Sequence, residues 1–200
     1  MFFAIANNLS LDFVNTVVIE NGVEKDLLVD FSRMLEWAAE LRIIDGSQSK
    51  RLLHEWQGTP EAEAAFSTAL AFRSRMRQMA VELSHRRPVG EKVLDAINSL
   101  LRDRLGSTAV RQTQDGYEKV FIAEFRDPSQ IVIPVAESAA DLLCYGNPDL
   151  VRKCENPECI LYFYDISKNH RRRWCSMAGC GNRAKARAFY KRRAKPERSA

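Results

Sequence analysis

The chain has 200 residues, 46% hydrophobic and 28% charged, which suits one medium domain plus a small module and supplies enough apolar material for a core. No apolar run approaches the roughly 18 residues of a membrane span, and the first seven residues lack the basic start and apolar length of a signal peptide, so a cytoplasmic protein is expected. The net charge of +4 is unevenly spread: residues 1–150 hold 16 Lys/Arg against 22 Asp/Glu, a net of −6, whereas 151–200 hold 14 against 4, a net of +10, the sign required for a polyanionic partner.

In chain order, Leu9, Phe13 and Val17 recur at i, i+4, i+8 with Val14 beside them. That predicts a helix over 9–18, although its β-branched end also suits a strand. Asp30 caps a helix running to about Arg42, with Phe31, Met34, Leu35, Ala38 and Leu41 on one face. Asp45-Gly46 ends it, and Ser47 caps a short helix carrying Leu52, Leu53 and Trp56. Gly58-Thr59-Pro60 opens a long helix with Phe66, Leu70, Met76, Met79, Ala80 and Leu83 as its apolar positions. Pro88-Val-Gly90 breaks it, and another helix follows with Val93, Leu94, Ile97, Leu100, Leu101 and Leu105, stopped by Gly106.

The period then changes. Thr108–Gln114 and Tyr117–Phe125 flank Asp115-Gly116, a pair suited to a type I′ hairpin turn. Residues 129–145 return to a helical pattern, with Pro134 near the start. Cys144, beside Leu142 and Leu143, reads as a small core residue. Gly146-Asn147-Pro148 reads as a joint, and no internal repeat is present.

Beyond the joint the pattern is Cys154-x4-Cys159, fifteen residues, then Cys175-x4-Cys180. In a reducing compartment cysteines serve as metal ligands or free thiols rather than disulfides. Two matched pairs around a finger-sized loop predict four soft tetrahedral ligands on one structural zinc, closed to catalysis. Pro157 and Gly179 supply turns within the spacers. His170 is a conceivable substitute ligand but fits the solvated basic run better. A segment so poor in large apolar residues cannot build a core unaided, and structural zinc contributes roughly 10–16 kcal/mol in comparable modules.

Ile160–Tyr164 is dense in β-formers and predicts a strand. After Cys180, Asn182 reads as the N-cap of a helix to Arg193, rich in alanine. Arg183, Arg187 and Lys191 fall at i, i+4, i+8 as a cationic stripe, with Ala186, Phe189 and Arg193 on another face, where Phe189 would pack on the zinc knuckle. The stripe, with Arg171, Arg172, Arg173, Lys185 and Arg192, offers roughly six to eight phosphate contacts. Asn182 and Arg183, at the helix start, are candidates for reading bases. The same charge run also reads as a solvated tail. Tyr162, Tyr164, Trp174 and Tyr190 either pack around the knuckle or stack on unpaired RNA bases.

The string Arg171-Arg-Arg-Trp-Cys175-Ser-Met-Ala-Gly-Cys180-Gly-Asn-Arg183-Ala-Lys185 resembles the CGNR zinc-finger family, named for the residues at 180–183. In that family the finger follows an N-terminal ABATE domain, linked to stress-induced transcriptional regulation. Leu11-Asp12-Phe13-Val14-Asn15-Thr16 resembles that domain's opening motif. Ile160 departs from the pattern, standing where the family carries glycine. The resemblance implies a bacterial DNA-binding regulator. It also draws attention to Asp12 and Asn15, which either border a small-effector site or satisfy nearby backbone.

The expected fold is thus mainly α with a small β-hairpin: a helical N-terminal domain over 1–148, a treble-clef-like zinc finger with four cysteine ligands over 149–195, and a tail over 196–200. The expected partner is double-stranded DNA, with a small-molecule effector and a homodimer as further possibilities. The alternative is an RNA- or ribosome-associated finger. No phosphate loop, HExxH or nucleophile elbow is present, so no enzyme is expected. Arginine-flanked thiolates also suit a redox switch.

Overall fold

The computed structural model describes residue 2 and residues 4–193. The expected tail over 196–200 lies outside the described residues. Asn8 caps α1 (Leu9–Val14), its side chain accepting from the Leu11 N–H. The helix stops after six residues because the chain turns to β-branched residues and a hairpin. That hairpin joins β1 (Val17–Glu20) to β2 (Val23–Asp26) through Asn21-Gly22, at φ 52 and 81. Two consecutive left-handed residues are what a type I′ turn requires. The sequence expectation of a helix to residue 18 therefore fails over its last residues, where its strand alternative holds.

Asp30 caps α2 (Phe31–Glu40) as expected, and the helix ends two residues early, ahead of Arg42 at φ 59. Asp45, not Ser47, caps α3 (Gly46–Trp56): its carboxylate accepts from the Ser47 and Gln48 N–H groups while Gln48 Oε1 accepts from the Asp45 N–H. A reciprocal capping box outcompetes a lone serine. Thr59 caps α4 (Pro60–Ser84), the long axis of the body. Its core face is built on Ala62, Ala65 and Ala69 before Phe72, Met76 and Met79, while Phe66 and Leu70 sit half-buried on the flank. Small residues let α1 approach closely, and Phe13 packs 5.0 Å from Trp37 and 6.4 Å from Phe72, centroid to centroid.

Helix α5 (Glu91–Arg102) buries Val93, Ile97 and Leu100 and leaves Leu94 exposed; it ends before Leu105, which the sequence pattern includes and which is exposed as well. Strands β3 (Gly106–Thr113) and β4 (Gly116–Ala123) form the expected hairpin with the turn one residue earlier, at Gln114-Asp115, because Gly116, at φ 130, pairs with Thr113. A 3₁₀ turn over Pro128–Val132, capped by Asp127, leads into α6 (Ile133–Cys144). Cys144 lies at the end of that helix and is exposed, so it is not the core residue its apolar neighbours implied.

The C-terminal segment contributes β5 (Val151–Lys153), β6 (Tyr162–Tyr164) and α7 (Asn182–Arg193). Among the described residues the chain is thus mainly α with three small antiparallel hairpins and a C-terminal cysteine cluster. β5 packs on α4 and β6 on α1, and Val151 and Phe163 belong to the same core as Phe13 and Met76. The finger thus shares apolar core with the body. Among the described residues, no helix is long and apolar enough to cross a membrane.

Candidate metal centre and nucleic-acid interface

Cys154 closes the β5 side of the knuckle and Cys159 precedes β6; Cys175 comes just before a turn of π-helix over Met177–Gly181, and Cys180 lies within it. The four buried sulfurs lie within 4.8 Å of one another. Cys159 and Cys175 are 3.7 Å apart, Cys175 and Cys180 3.6 Å. Tetrahedral zinc with Zn–S of about 2.3 Å needs sulfurs about 3.8 Å apart, so the donors fit. Without a cation the thiols compete for protons. Hydrogen bonds from Cys159 and Cys175 draw the Cys154 thiol down to about 2, and the bond to Cys154 pushes Cys159 up to about 12. Cys175 is pushed up as well, first by its bond to Cys154. Four thiolates at this spacing need a cation between them, and Cys154, Cys159, Cys175 and Cys180 form the site for one structural zinc. His170 stands apart, its Nδ1 3.0 Å from the Asp165 carbonyl.

The surroundings place hydrogen bonds on the sulfurs unequally. Asn156 Nδ2 and Arg183 donate to Cys180 Sγ at 3.3 and 3.2 Å, and the Cys175 N–H donates to Cys154 Sγ at 3.4 Å. Asp165, fully buried, accepts from Ser167 N–H and Oγ and from Arg172 N–H, with Arg152 3.5 Å away. Burial pushes its carboxyl up, but these bonds and the Arg152 charge outweigh that and hold it below the usual range. Arg172 is the clasp of the loop. It stacks 4.2 Å over Phe163, donates to the Trp174 and Ile5 carbonyls at 2.9 Å each, and also reaches the Cys175 carbonyl. A guanidinium so occupied is not free for phosphate, so Arg172 leaves the expected contact set.

Asn182 does not cap α7. Ser176 caps the preceding turn, its Oγ accepting from the Gly179 N–H at 3.0 Å, and Asn182 continues the helix with Nδ2 donating to the Ala178 carbonyl. Gly181 sits where a side chain would press on its surroundings: a Cβ there would lie 2.8 Å from Met177 Sδ and 3.2 Å from Trp174 Cδ1. Arg187 donates to Asn156 Oδ1 at 3.0 Å and pairs with Glu158. The Arg183–Arg187 part of the stripe thus faces the knuckle. Arg173 pairs with Glu155 at 2.6 Å beside Trp174. Lys168, Arg171, Lys185 and Lys191 are exposed or half-exposed and make no ion pair among the described residues. Arg192 is in α7, and its side chain lies outside the described set. Phe189 is exposed, edge-on to Tyr190 at 5.7 Å, and does not pack on the knuckle. Tyr162 is buried and unavailable for stacking. Ile160 is half-buried and is not among the left-handed residues, so no glycine is needed there.

Asp12 and Asn15 turn their polar atoms to backbone. Asp12 Oδ1 accepts from the Ile5 and Ala6 N–H groups, each at 2.9 Å. Burial nonetheless lifts its carboxyl to about 6 against the pull of those bonds and of Arg172. Asn15 exchanges two hydrogen bonds with the Tyr162 backbone: Nδ2 to the carbonyl at 2.8 Å, and the N–H to Oδ1 at 2.9 Å. It acts as a third strand-like partner for β6 and ties body to finger. The sequence signal for this was available only as a buried polar pair without an assigned partner.

Between β1–β2 and the knuckle lies an open cleft of about 540 Å³. Ile5, Val18, Leu27 and Leu161 line it, and so do three of the metal ligands, Cys159, Cys175 and Cys180.

Residues 7–146 match the ABATE family model, described as "Putative stress-induced transcription regulator". The chain belongs to the ABATE family. Residues 151–193 match the CGNR zinc finger, so the knuckle, β5, β6 and α7 together are the CGNR finger, following the ABATE domain in the expected order. A search of curated proteins returns no match. Both matched families are regulator and zinc-finger types rather than enzymes.

Proposed function

We propose that the chain is a zinc-dependent transcriptional regulator of the cytoplasm that binds double-stranded DNA through the finger, with the ABATE domain governing that binding. The observation that carries this reading is α7, which leaves the knuckle after its first turns and exposes its remaining length, cations included, to solvent. A helix that is polar around its circumference and unpartnered along its length is suited to a partner. A major groove accepts a single helix, and lysines at 185 and 191 with Arg171 and Lys168 supply phosphate contacts. Counting those four with Arg193 gives about five, hence a salt slope of about −4 to −5 on duplex DNA.

The test is fluorescence anisotropy of the zinc-loaded chain against duplex DNA and single-stranded RNA in one salt series. Duplex binding with that slope, lost on chelation, supports the proposal; salt-insensitive binding or none overturns it. A clear preference for single-stranded RNA transfers the finger to the second reading, which the exposed Phe189–Tyr190 pair favours, since unpaired bases stack on such rings. Stoichiometry in the same titration distinguishes one chain from a homodimer on two half-sites.

A further inference from the structure

The loop that follows β6 is pinned from within. Asp165 accepts from the Ser167 N–H and Oγ at 3.0 and 2.6 Å and from the Arg172 N–H at 2.9 Å. His170, left-handed at φ 49, donates its N–H to the Ser167 carbonyl at 3.0 Å, and Arg152 donates to the His170 carbonyl at 3.1 Å. The loop so fixed borders an open hollow of about 540 Å³, on the far side of the chain's cysteine-lined cleft in composition: its lining includes Lys168, Asn169, Arg171, Arg173, Trp174 and Met177 and, among the described residues, no carboxylate. A volume of that size takes a small molecule or one unit of a polymer.

The hollow has two kinds of wall. Lys168 and Arg171 are exposed and make no ion pair among the described residues, so two positive charges stand ready for an anion. Beside them is a stacking surface. Met177, 56% exposed, and half-buried Trp174 meet over Gly181, where a Cβ would lie 2.8 Å from Met177 Sδ and 3.2 Å from Trp174 Cδ1. The Arg173 guanidinium stands 4.9 Å from the same indole ring. An inorganic anion would satisfy the cations and leave the stacking surface bare. A base-paired stretch of duplex offers phosphates, but its bases are stacked on one another and cannot reach the ring. A nucleotide with an unpaired base satisfies both walls, since a base stacks on an aromatic ring or a guanidinium plane while its phosphate meets the cations.

We propose that this hollow binds a single unpaired nucleotide, its phosphate held by Lys168 and Arg171 and its base laid against Trp174, Arg173 and Met177. The ligand is either a free nucleotide or an unpaired unit of a nucleic-acid chain, because both present the same phosphate and base. On a duplex with an unpaired end, the hollow adds a contact that α7 in a groove does not supply. The nucleotide site stands independently of the proposed function; its addition to duplex binding rests on that reading.

The test titrates the full zinc-loaded chain with deoxyadenosine monophosphate and reads tryptophan fluorescence. Of the three tryptophans, Trp37 and Trp56 are buried in the body, so quenching by a stacked base reports Trp174. The expected result is a saturable quench. Inorganic phosphate, which lacks the base, should compete about tenfold more weakly, and deoxyadenosine, which lacks the charge, should also bind more weakly than the monophosphate. Arg171→Gln should weaken the monophosphate about tenfold and leave deoxyadenosine unchanged. Trp174→Phe should lose the quench. In parallel, anisotropy compares a blunt duplex with the same duplex carrying one unpaired nucleotide at its end. A gain of about tenfold from the unpaired nucleotide assigns the site to a nucleic-acid chain; monophosphate binding without that gain assigns it to a free nucleotide, and either supports the site. No saturable quench, phosphate competing as well as the monophosphate, or Arg171→Gln binding the monophosphate as the parent does would overturn it. Should Trp174→Phe not fold, the Arg171→Gln comparison still decides. Blunt-duplex binding beside a failed monophosphate titration removes the site and leaves the proposed function; monophosphate binding with no duplex binding does the reverse.

Discussion

Replacing Asn15 by Ala tests how the body holds the finger. Asn15 is 2% exposed and its side chain makes a donor–acceptor pair with the Tyr162 backbone at 2.8 and 2.9 Å. Tyr162 is itself 4% exposed, so water does not replace the lost partner. Two buried hydrogen bonds at about 1 kcal/mol each, plus part of the penalty for stranding a buried N–H and C=O, give a loss of about 2–4 kcal/mol. With a urea m-value of about 2 kcal/mol/M, the midpoint should fall by about 1–2 M. The loss should also be directional: β6 carries Tyr162 between two ligand-bearing turns, so the finger should loosen and give up zinc to a chelator faster than the parent. Urea titration followed by tryptophan fluorescence reads the first effect, and chelator kinetics read the second. A midpoint shift below about 0.3 M, or an unchanged zinc off-rate alongside a full stability loss, would refute the idea that this contact couples the two parts.

Chelation should abolish ordered structure around 154–181 yet leave most far-UV helicity, because α1, α2 and α4 hold each other through their own apolar contacts, among them Phe13 on Trp37 and Phe72; complete loss of helicity on chelation would contradict this. The Asp12 carboxyl gives a pH signature. Its folded value of about 6 lies above the unfolded 3.8, so the unfolded chain releases the proton first and stability from this group falls as pH rises from about 4 to 6. Asp12→Asn keeps an oxygen for the Ile5 and Ala6 N–H groups and removes that slope. The variant should match the parent near pH 4 and exceed it by up to about 3 kcal/mol at pH 7, measured by urea midpoints across pH.

Much of the site could be read before any coordinates, and the reasons differ residue by residue. The cysteine spacing carries its own chemistry, so the ligand set is local information. The cap at Asp30 and the helix opening at Gly58-Thr59-Pro60 are local too, and the structure keeps both. Asn21-Gly22 was equally local, yet the apolar stripe of 9–18 masked it, since Val17 satisfies helix and strand periods alike. Arg172 could not be assigned. Its partners include Ile5, 167 positions away, and only the docked finger brings that carbonyl within reach. Phe189 misled for the opposite reason: an aromatic on a helix argues for burial, but α7 extends beyond any surface that could cover it.

Apart from Arg171 and Arg193, which stand with the lysines, the basic run divides by side-chain type, and that division leads to a further prediction. Arg172, Arg173, Arg183 and Arg187 are spent on the finger itself, gripping carbonyls, a carboxylate, a sulfur and an amide oxygen. A planar guanidinium with several fixed donors suits such sites, and an ammonium does not. Lys168, Lys185 and Lys191 make no such bonds among the described residues. Arg172→Lys should therefore forfeit the paired carbonyl contacts and the Phe163 stack, lowering stability by about 2–3 kcal/mol, while the salt slope of any remaining duplex binding stays as in the parent. Lys185→Gln with Lys191→Gln should do the reverse, leaving the urea midpoint unchanged and reducing the salt slope by about 2. Net charge falls by 2 in the lysine pair and not at all in Arg172→Lys, so overall charge alone predicts that only the lysine pair matters for either property. A stability loss confined to Arg172→Lys, beside a slope change confined to the lysines, distinguishes residues that build the finger from residues that meet phosphate. If Arg172→Lys were as stable as the parent, the guanidinium would not be the clasp that its bonds to Ile5, Trp174 and Cys175 describe.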